Sequence, residues 1–123
     1  MLVTREINSI IEIASDYDAI VFDQWGVLHD GAKPYSLAVQ TVKQLTLSGH
    51  CLAVLSNSGK RASSNAQRIY NFGFEKEWFD AVMTSGEAFA TEILNKKISE
   101  QTFFAIQRAD GDADKFAAEL NLR

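Results

Sequence analysis

Three short apolar runs constrain this chain most, because each ends abruptly on small polar residues or glycine. Ala19-Ile20-Val21-Phe22 runs into Asp23, and Cys51-Leu52-Ala53-Val54-Leu55 runs into Ser56-Asn57-Ser58-Gly59. Ala81-Val82-Met83-Thr84 runs into Ser85-Gly86-Glu87. Runs this short and continuous suit strands buried on both faces of a parallel sheet. Helical spacing fills the stretches between and around them. Residues 35–48 place Tyr35, Ala38, Val42 and Leu45 on one face and stop at Gly49. Residues 60–72 do the same through Ala62, Ala66, Ile69 and Tyr70, ending at Gly73. Residues 86–95 read as a third helix and 113–121 as a last one. Thr102-Phe103-Phe104-Ala105-Ile106 is expected to form a fourth strand, and residues 5–15, capped by Thr4, a first helix. This alternation predicts an α/β fold, with a doubly wound, largely parallel, Rossmann-like sheet. With 123 residues of which 46% are hydrophobic, one domain spanning 1–123 is expected.

Several function classes are excluded before any motif is weighed. Twelve basic residues stand against sixteen acidic ones, with no basic stripe, which argues against nucleic acid as a partner. No apolar stretch approaches the ~20 residues that span a bilayer. Glu6 and Glu12 interrupt the apolar pattern of the N-terminus, which argues against a signal peptide. The single Cys51 has no partner within the chain and reads as a small core residue of a reducing compartment. A cytoplasmic protein is therefore expected.

In open parallel sheets, ligands bind beyond the carboxyl ends of the strands. Those ends here carry Asp23, Ser56, Asn57, Ser58, Lys60 and Arg61. A carboxylate at such an edge serves as a nucleophile or a metal ligand. Hydroxyls and the backbone N–H groups around Gly59 suit an oxyanion, with a helix N-terminus behind them and Lys60 and Arg61 adding positive charge. The combination fits phosphate plus a hard cation. Asp, Ser, Asn and Gly also serve as ordinary turn and cap residues, so Ser56-Asn57-Ser58 has a purely structural alternative. Asp23 follows four apolar residues directly, where an unpartnered carboxylate would be costly, and it is the position taken as functional.

The stretch Val21-Phe22-Asp23-Gln24-Trp25-Gly26-Val27-Leu28 resembles motif I of the haloacid dehalogenase-like hydrolases, and Val54-Leu55-Ser56-Asn57-Ser58 resembles motif II. Thr84-Ser85-Gly86-Glu87-Ala88 is similar to the segment after the third strand in the class IIA, sugar-phosphatase-like branch. The resemblance covers most of residues 17–94. It implies a Mg²⁺-dependent phosphatase acting on small phosphorylated metabolites. Asp23 would attack phosphorus to form an aspartyl-phosphate, and Ser56 would hydrogen-bond the transferring group. The metal would be held by Asp23 and the backbone carbonyl of Trp25. Gly26, Asn57, Ser58, Lys60 and Arg61 would meet the substrate.

Two departures qualify this. The family's second motif I aspartate, which handles the leaving-group proton, is replaced by Trp25. Loss of such a group forfeits roughly 10²–10⁴ in rate. His29 and Asp30 are the nearby alternatives, His29 also having the plain reading of a loop histidine. The family's motif III lysine, motif IV acids and cap domain also find no place, so the chain reads as the N-terminal half of a core. Asp110, Asp112 and Asp114 do not supply motif IV: a calcium-loop pattern would need Gly at Lys115 and Glu at Asn121. They read instead as a turn capping the last helix. A half core is expected to leave sheet edges and helix faces open, which favours self-association into a homo-oligomer or domain exchange.

Two other readings compete. One is a catalytically incomplete phosphate- or partner-binding remnant of the family, which Trp25 favours. The other is a phospho-accepting receiver domain. That reading is disfavoured because the third strand is followed by Ser85-Gly86-Glu87 rather than by an aspartate.

Overall fold

A computed structural model describes residues 4–107 and 110–123. Three parallel strands, β1 (Ala19–Phe22), β2 (Cys51–Ser56) and β3 (Ala81–Thr84), form a sheet in the order β1-β2-β3. Helices α1 (Ala38–Leu47), α2 (Ala62–Asn71), α3 (Ser85–Leu94) and α4 (Asp112–Leu120) complete the Rossmann-like α/β arrangement that the sequence alternation predicts.

The strands alternate rather than being buried on both faces. Ile20, Phe22, Leu52 and Val54 point into a core closed by Val42 and Leu45 of α1, Ile69 of α2 and the loop residues Leu28 and Phe74. Val21, Leu55 and Met83 on the opposite face are exposed. Consecutive strands step across the sheet in one direction, and right-handed crossovers then set α1 and α2 on the same side. This also corrects the reading of Cys51. Inward-facing Leu52 and Val54 force it to the open face, where it is exposed. Asp80 beside it, which also accepts the Leu52 N–H at 2.9 Å, raises the thiol's pKa.

Two expected elements are absent among the described residues. Residues 102–106 form no strand: Phe103 N–H donates to the Arg123 carbonyl at 2.7 Å, and Arg123 N–H donates to the Gln101 carbonyl at 2.8 Å. The backbone is thus tied to the C-terminus, and Phe104 and Ile106 are 95% and 93% exposed. Phe103 instead meets Phe89 edge-on at 5.5 Å, and Phe89 stacks on Phe116 of α4. Residues 5–15 form two 3₁₀ turns, Ile10–Glu12 and Ala14–Asp16, rather than one helix. Three β-branched isoleucines in four residues weaken α-helix here. The cap is Ser9, whose side chain accepts the Ile11 N–H, not Thr4.

Candidate active site

Parallel register decides what meets at the carboxyl edge. Phe22 pairs with Val54, and Ser56 pairs with Thr84. Asp23 therefore leaves β1 beside the end of β2, and the Ser56 loop leaves β2 beside the start of α3. A cavity of about 610 Å³ opens at this edge. Asp23, Trp25, Ser56, Asn57, Ser58 and Lys60 all line it.

Asp23 is exposed at the cavity wall, with Oδ1 accepting the Gln24 N–H at 2.7 Å. Exposure removes the desolvation argument made from its apolar neighbours; its place in the cavity is what singles it out. The chain then turns sharply, with Gly26 donating to the His29 carbonyl at 2.8 Å and Leu28 donating to the Gln24 carbonyl at 2.9 Å. Gly26 has φ +87, a left-handed conformation that a side chain disfavours. Gly26 shapes the turn and is not among the residues that line the cavity. The Trp25 carbonyl takes no part in the turn's hydrogen bonds. Its indole lies over Gly31, filling the space a Cβ would take there.

The Ser56 loop is held from within and from behind. Ser56 Oγ accepts the Ser58 N–H at 3.3 Å, and Ser58 Oγ accepts Lys60 N–H and Asn65 Nδ2, both at 3.2 Å. Ser58 thus uses its oxygen to fix the loop, while Ser56, buried, faces the cavity. Behind the loop stands the first turn of α3. Gly86 N–H donates to the Ser58 carbonyl at 3.0 Å, and Thr84 Oγ1 donates to the Lys60 carbonyl at 2.6 Å. A Cβ at Gly86 would collide with the Gly59 carbonyl, so only glycine permits this approach.

Arg61 stands apart from the main cavity. Glu87 grips it bidentately, accepting from Nε at 2.8 Å and Nη2 at 2.9 Å. Glu119 adds a second ion pair at 3.5 Å. Glu87 also accepts the Ala62 N–H at 2.9 Å. These donors hold its carboxyl at about 2, and the same pairing raises the Arg61 pKa. Arg61 and Glu87 form a clamp joining the first turn of α3 to the start of α2, where the loop from β2 ends.

Neither candidate for the missing proton carrier lines the cavity. His29 is fully buried between Trp25 and Phe72, with ring centroids 5.7 and 4.8 Å away. Its Nδ1 accepts the Gly31 N–H at 2.9 Å, which leaves the proton on Nε2 without a hydrogen-bond partner. Burial, then the nearby Arg68 charge, lower its pKa against a smaller raising effect of Asp30. Asp30 Oδ1 caps a turn, accepting from Ala32 and Lys33 at 2.9 and 2.8 Å. Three lining residues escaped the sequence reading of the site, Gln24 after β1 and Asn65 and Arg68 from α2, and Asp112 of α4, read there only as a cap, lines the cavity too. The helical spacing Arg61–Asn65–Arg68 was visible but unassigned. Asp112 opens α4 as a first-turn acid and its Oδ1 accepts the Ala113 N–H at 3.0 Å, while Gln107 Oε1 also accepts the Ala113 and Asp114 N–H groups, both at 3.2 Å.

The chain belongs to the haloacid dehalogenase-like hydrolases, whose family profile matches residues 20–121. Its fold is similar to that of a haloacid dehalogenase-like hydrolase from Brucella suis 1330, with a TM-score of 0.76 at 20% sequence identity. The likeness covers 95% of this chain and 43% of that one, so this chain spans less than half the length of the protein it matches. No curated protein matches the sequence significantly. No helix among the described residues is long and apolar enough to cross a membrane.

Proposed function

We propose that the protein is a Mg²⁺-dependent phosphatase of the class IIA branch, acting on small phosphorylated metabolites through Asp23. The observation that carries this reading is the meeting of Asp23, Ser56 and Lys60 in one cavity at the carboxyl edge of a parallel sheet. The donor chemistry fits a hard cation. Asp23 offers a carboxylate and Trp25 a backbone carbonyl outside the turn's hydrogen bonds. No group of three or more His, Cys, Asp or Glu side chains gathers among the described residues. Asp23 and the Trp25 carbonyl would therefore be the protein's ligands to Mg²⁺, with water and phosphate oxygens completing its shell. When bound, Mg²⁺ would offset the repulsion between carboxylate and phosphate.

The residues divide the work. Asp23 Oδ1 is engaged by the Gln24 N–H, which leaves Oδ2 to attack. An Oδ2–P bond forms, the P–O ester bond breaks, and the electron pair leaves with the departing oxygen. Water then attacks phosphorus and releases Asp23 as a carboxylate with inorganic phosphate. Ser56 and Lys60 hold the phosphoryl oxygens, whose charge preorganised donors stabilise. Trp25 cannot transfer a proton at neutral pH, so substrates whose leaving group needs little protonation are favoured. Phosphate release from acetyl phosphate and p-nitrophenyl phosphate, compared with Asp23→Asn and with EDTA, tests this. Release lost in both controls supports it; equal release from Asp23→Asn refutes it.

Trp25 at the acid position favours a second reading, a phosphate-binding remnant without turnover. It predicts phosphate binding in the cavity and no release above the Asp23→Asn background.

A further inference from the structure

One cation of the cavity is unaccounted for. Lys60 pairs with Asp110 at 3.3 Å, and Arg61 is held by Glu87 and Glu119. Arg68 also lines the cavity, yet it makes no ion pair among the described residues. Its charge is felt by His29, whose protonation it opposes. Arg68 enters from the second turn of α2, about 9 Å along the helix axis from Ala62 and the end of the Ser56 loop. A ligand touching both ends must span the cavity.

The cavity also continues past Arg68. A side groove of about 250 Å³ shares Lys60, Asn65, Arg68 and Asp112 with it and adds the cations Arg61 and Lys115 and the acid Glu119, which pairs with Arg61. Arg68 stands at the junction of the two spaces. A half-buried guanidinium with no carboxylate partner among the described residues has five N–H donors to offer, in a geometry matched to carboxylate or phosphate. Its neighbour Asn65 is committed, its amide donating to Ser58 Oγ and the Arg61 carbonyl, both at 3.2 Å.

We propose that Arg68 binds a second anionic group on the substrate, so that the substrate is a small phosphate ester carrying a carboxylate or another phosphate at its far end. This rests on the phosphatase reading for the identity of the first group. Arg68 then selects among esters, while Asp23 and the Ser56 loop act on the phosphoryl group common to all of them.

The test uses propyl phosphate, its ω-carboxylate analogue and its ω-phosphate analogue, which share one chain length. Binding is measured by calorimetry in Mg²⁺ buffer on Asp23→Asn protein, with Arg68 intact, as Arg68→Gln and as Arg68→Lys. The expected result is binding of the charged analogues roughly tenfold or more tighter than propyl phosphate, the scale of a charge-assisted pair. That advantage is lost in Arg68→Gln and partly kept in Arg68→Lys. The two charged analogues tell carboxylate from phosphate. Equal binding of all three, absence of binding, or an advantage that survives Arg68→Gln overturns the proposal. If Arg68→Gln does not fold, an advantage unchanged in Arg68→Lys overturns it instead, because a bidentate pair does not survive that exchange intact. Phosphate release from the same esters by protein with Asp23 intact separates the two readings. A charged-end preference without release refutes the phosphatase reading alone, and release without preference refutes only the role of Arg68.

Discussion

Replacing Glu87 by glutamine should loosen the wall of the cavity at the carboxyl edge without touching its lining. Glu87 accepts three hydrogen bonds: Arg61 Nε at 2.8 Å, Arg61 Nη2 at 2.9 Å and Ala62 N–H at 2.9 Å. Its carboxyl titrates at about 2 in the fold against 4.5 for a free side chain. A displacement of that size corresponds to a stabilisation on the order of 3 kcal/mol at neutral pH. The side chains of Glu87 and Arg61 remain 23% and 24% exposed, and solvent screening at that exposure reduces the figure to about 1–2 kcal/mol. The substituted amide keeps one acceptor but loses the charge. Urea denaturation at neutral pH should therefore show Glu87→Gln less stable by about 1–2 kcal/mol. The pH dependence gives an independent reading. The folded pKa lies below the unfolded one, so the stabilisation is fully present above about 4.5 and is lost as pH falls toward 2. The native protein should lose stability through that window, and Glu87→Gln should lose less. Equal stability of the two proteins at neutral pH, or identical pH profiles, would refute the clamp.

Gly86→Ala should cost more than Glu87→Gln, because its Cβ would collide with the Gly59 carbonyl, a backbone atom that moves only with the loop. A loss of about 1–3 kcal/mol in urea denaturation and faster amide exchange at Ser58–Lys60 are expected. His29, whose pKa burial lowers below 6.5, stays neutral in the fold while the unfolded chain takes up a proton. Its contribution is full above about 6.5 and shrinks as pH falls below that value, and NMR titration should place the His29 midpoint below the free-histidine value. If the open sheet face of Val21, Leu55 and Met83 is covered by a second copy of the chain, sedimentation should show a dimer, and Leu55→Lys should shift it to monomer.

The sheet was legible because β1, β2 and β3 are uninterrupted apolar runs that stop at polar residues, and α1, α2 and α3 follow at helical spacing within a few residues of their expected ends. Burial was misread where an apolar run does not reveal whether its second face is covered. Cys51, Leu55 and Met83 are exposed for that reason. The run 102–106 misled in the same way, since apolar character alone does not supply a neighbouring strand to take its hydrogen bonds. For the site, Asp23, Ser56 and Lys60 could be placed together from strand order alone. The commitment of Arg61 to Glu87 could not, because it depends on α3 packing against the loop across a glycine contact. Arg68 and Asp112 enter the cavity from helices, and single-chain spacing does not say which helical faces meet.

The most direct test of the central claim is Mg²⁺-dependent phosphate release from acetyl phosphate, whose leaving group needs little help from a general acid. The account predicts release that falls to background in Asp23→Asn and on chelation of the metal. Release that persists at the same rate in Asp23→Asn, or no release by the native protein above that variant, would contradict Asp23 as the nucleophile of a working phosphatase.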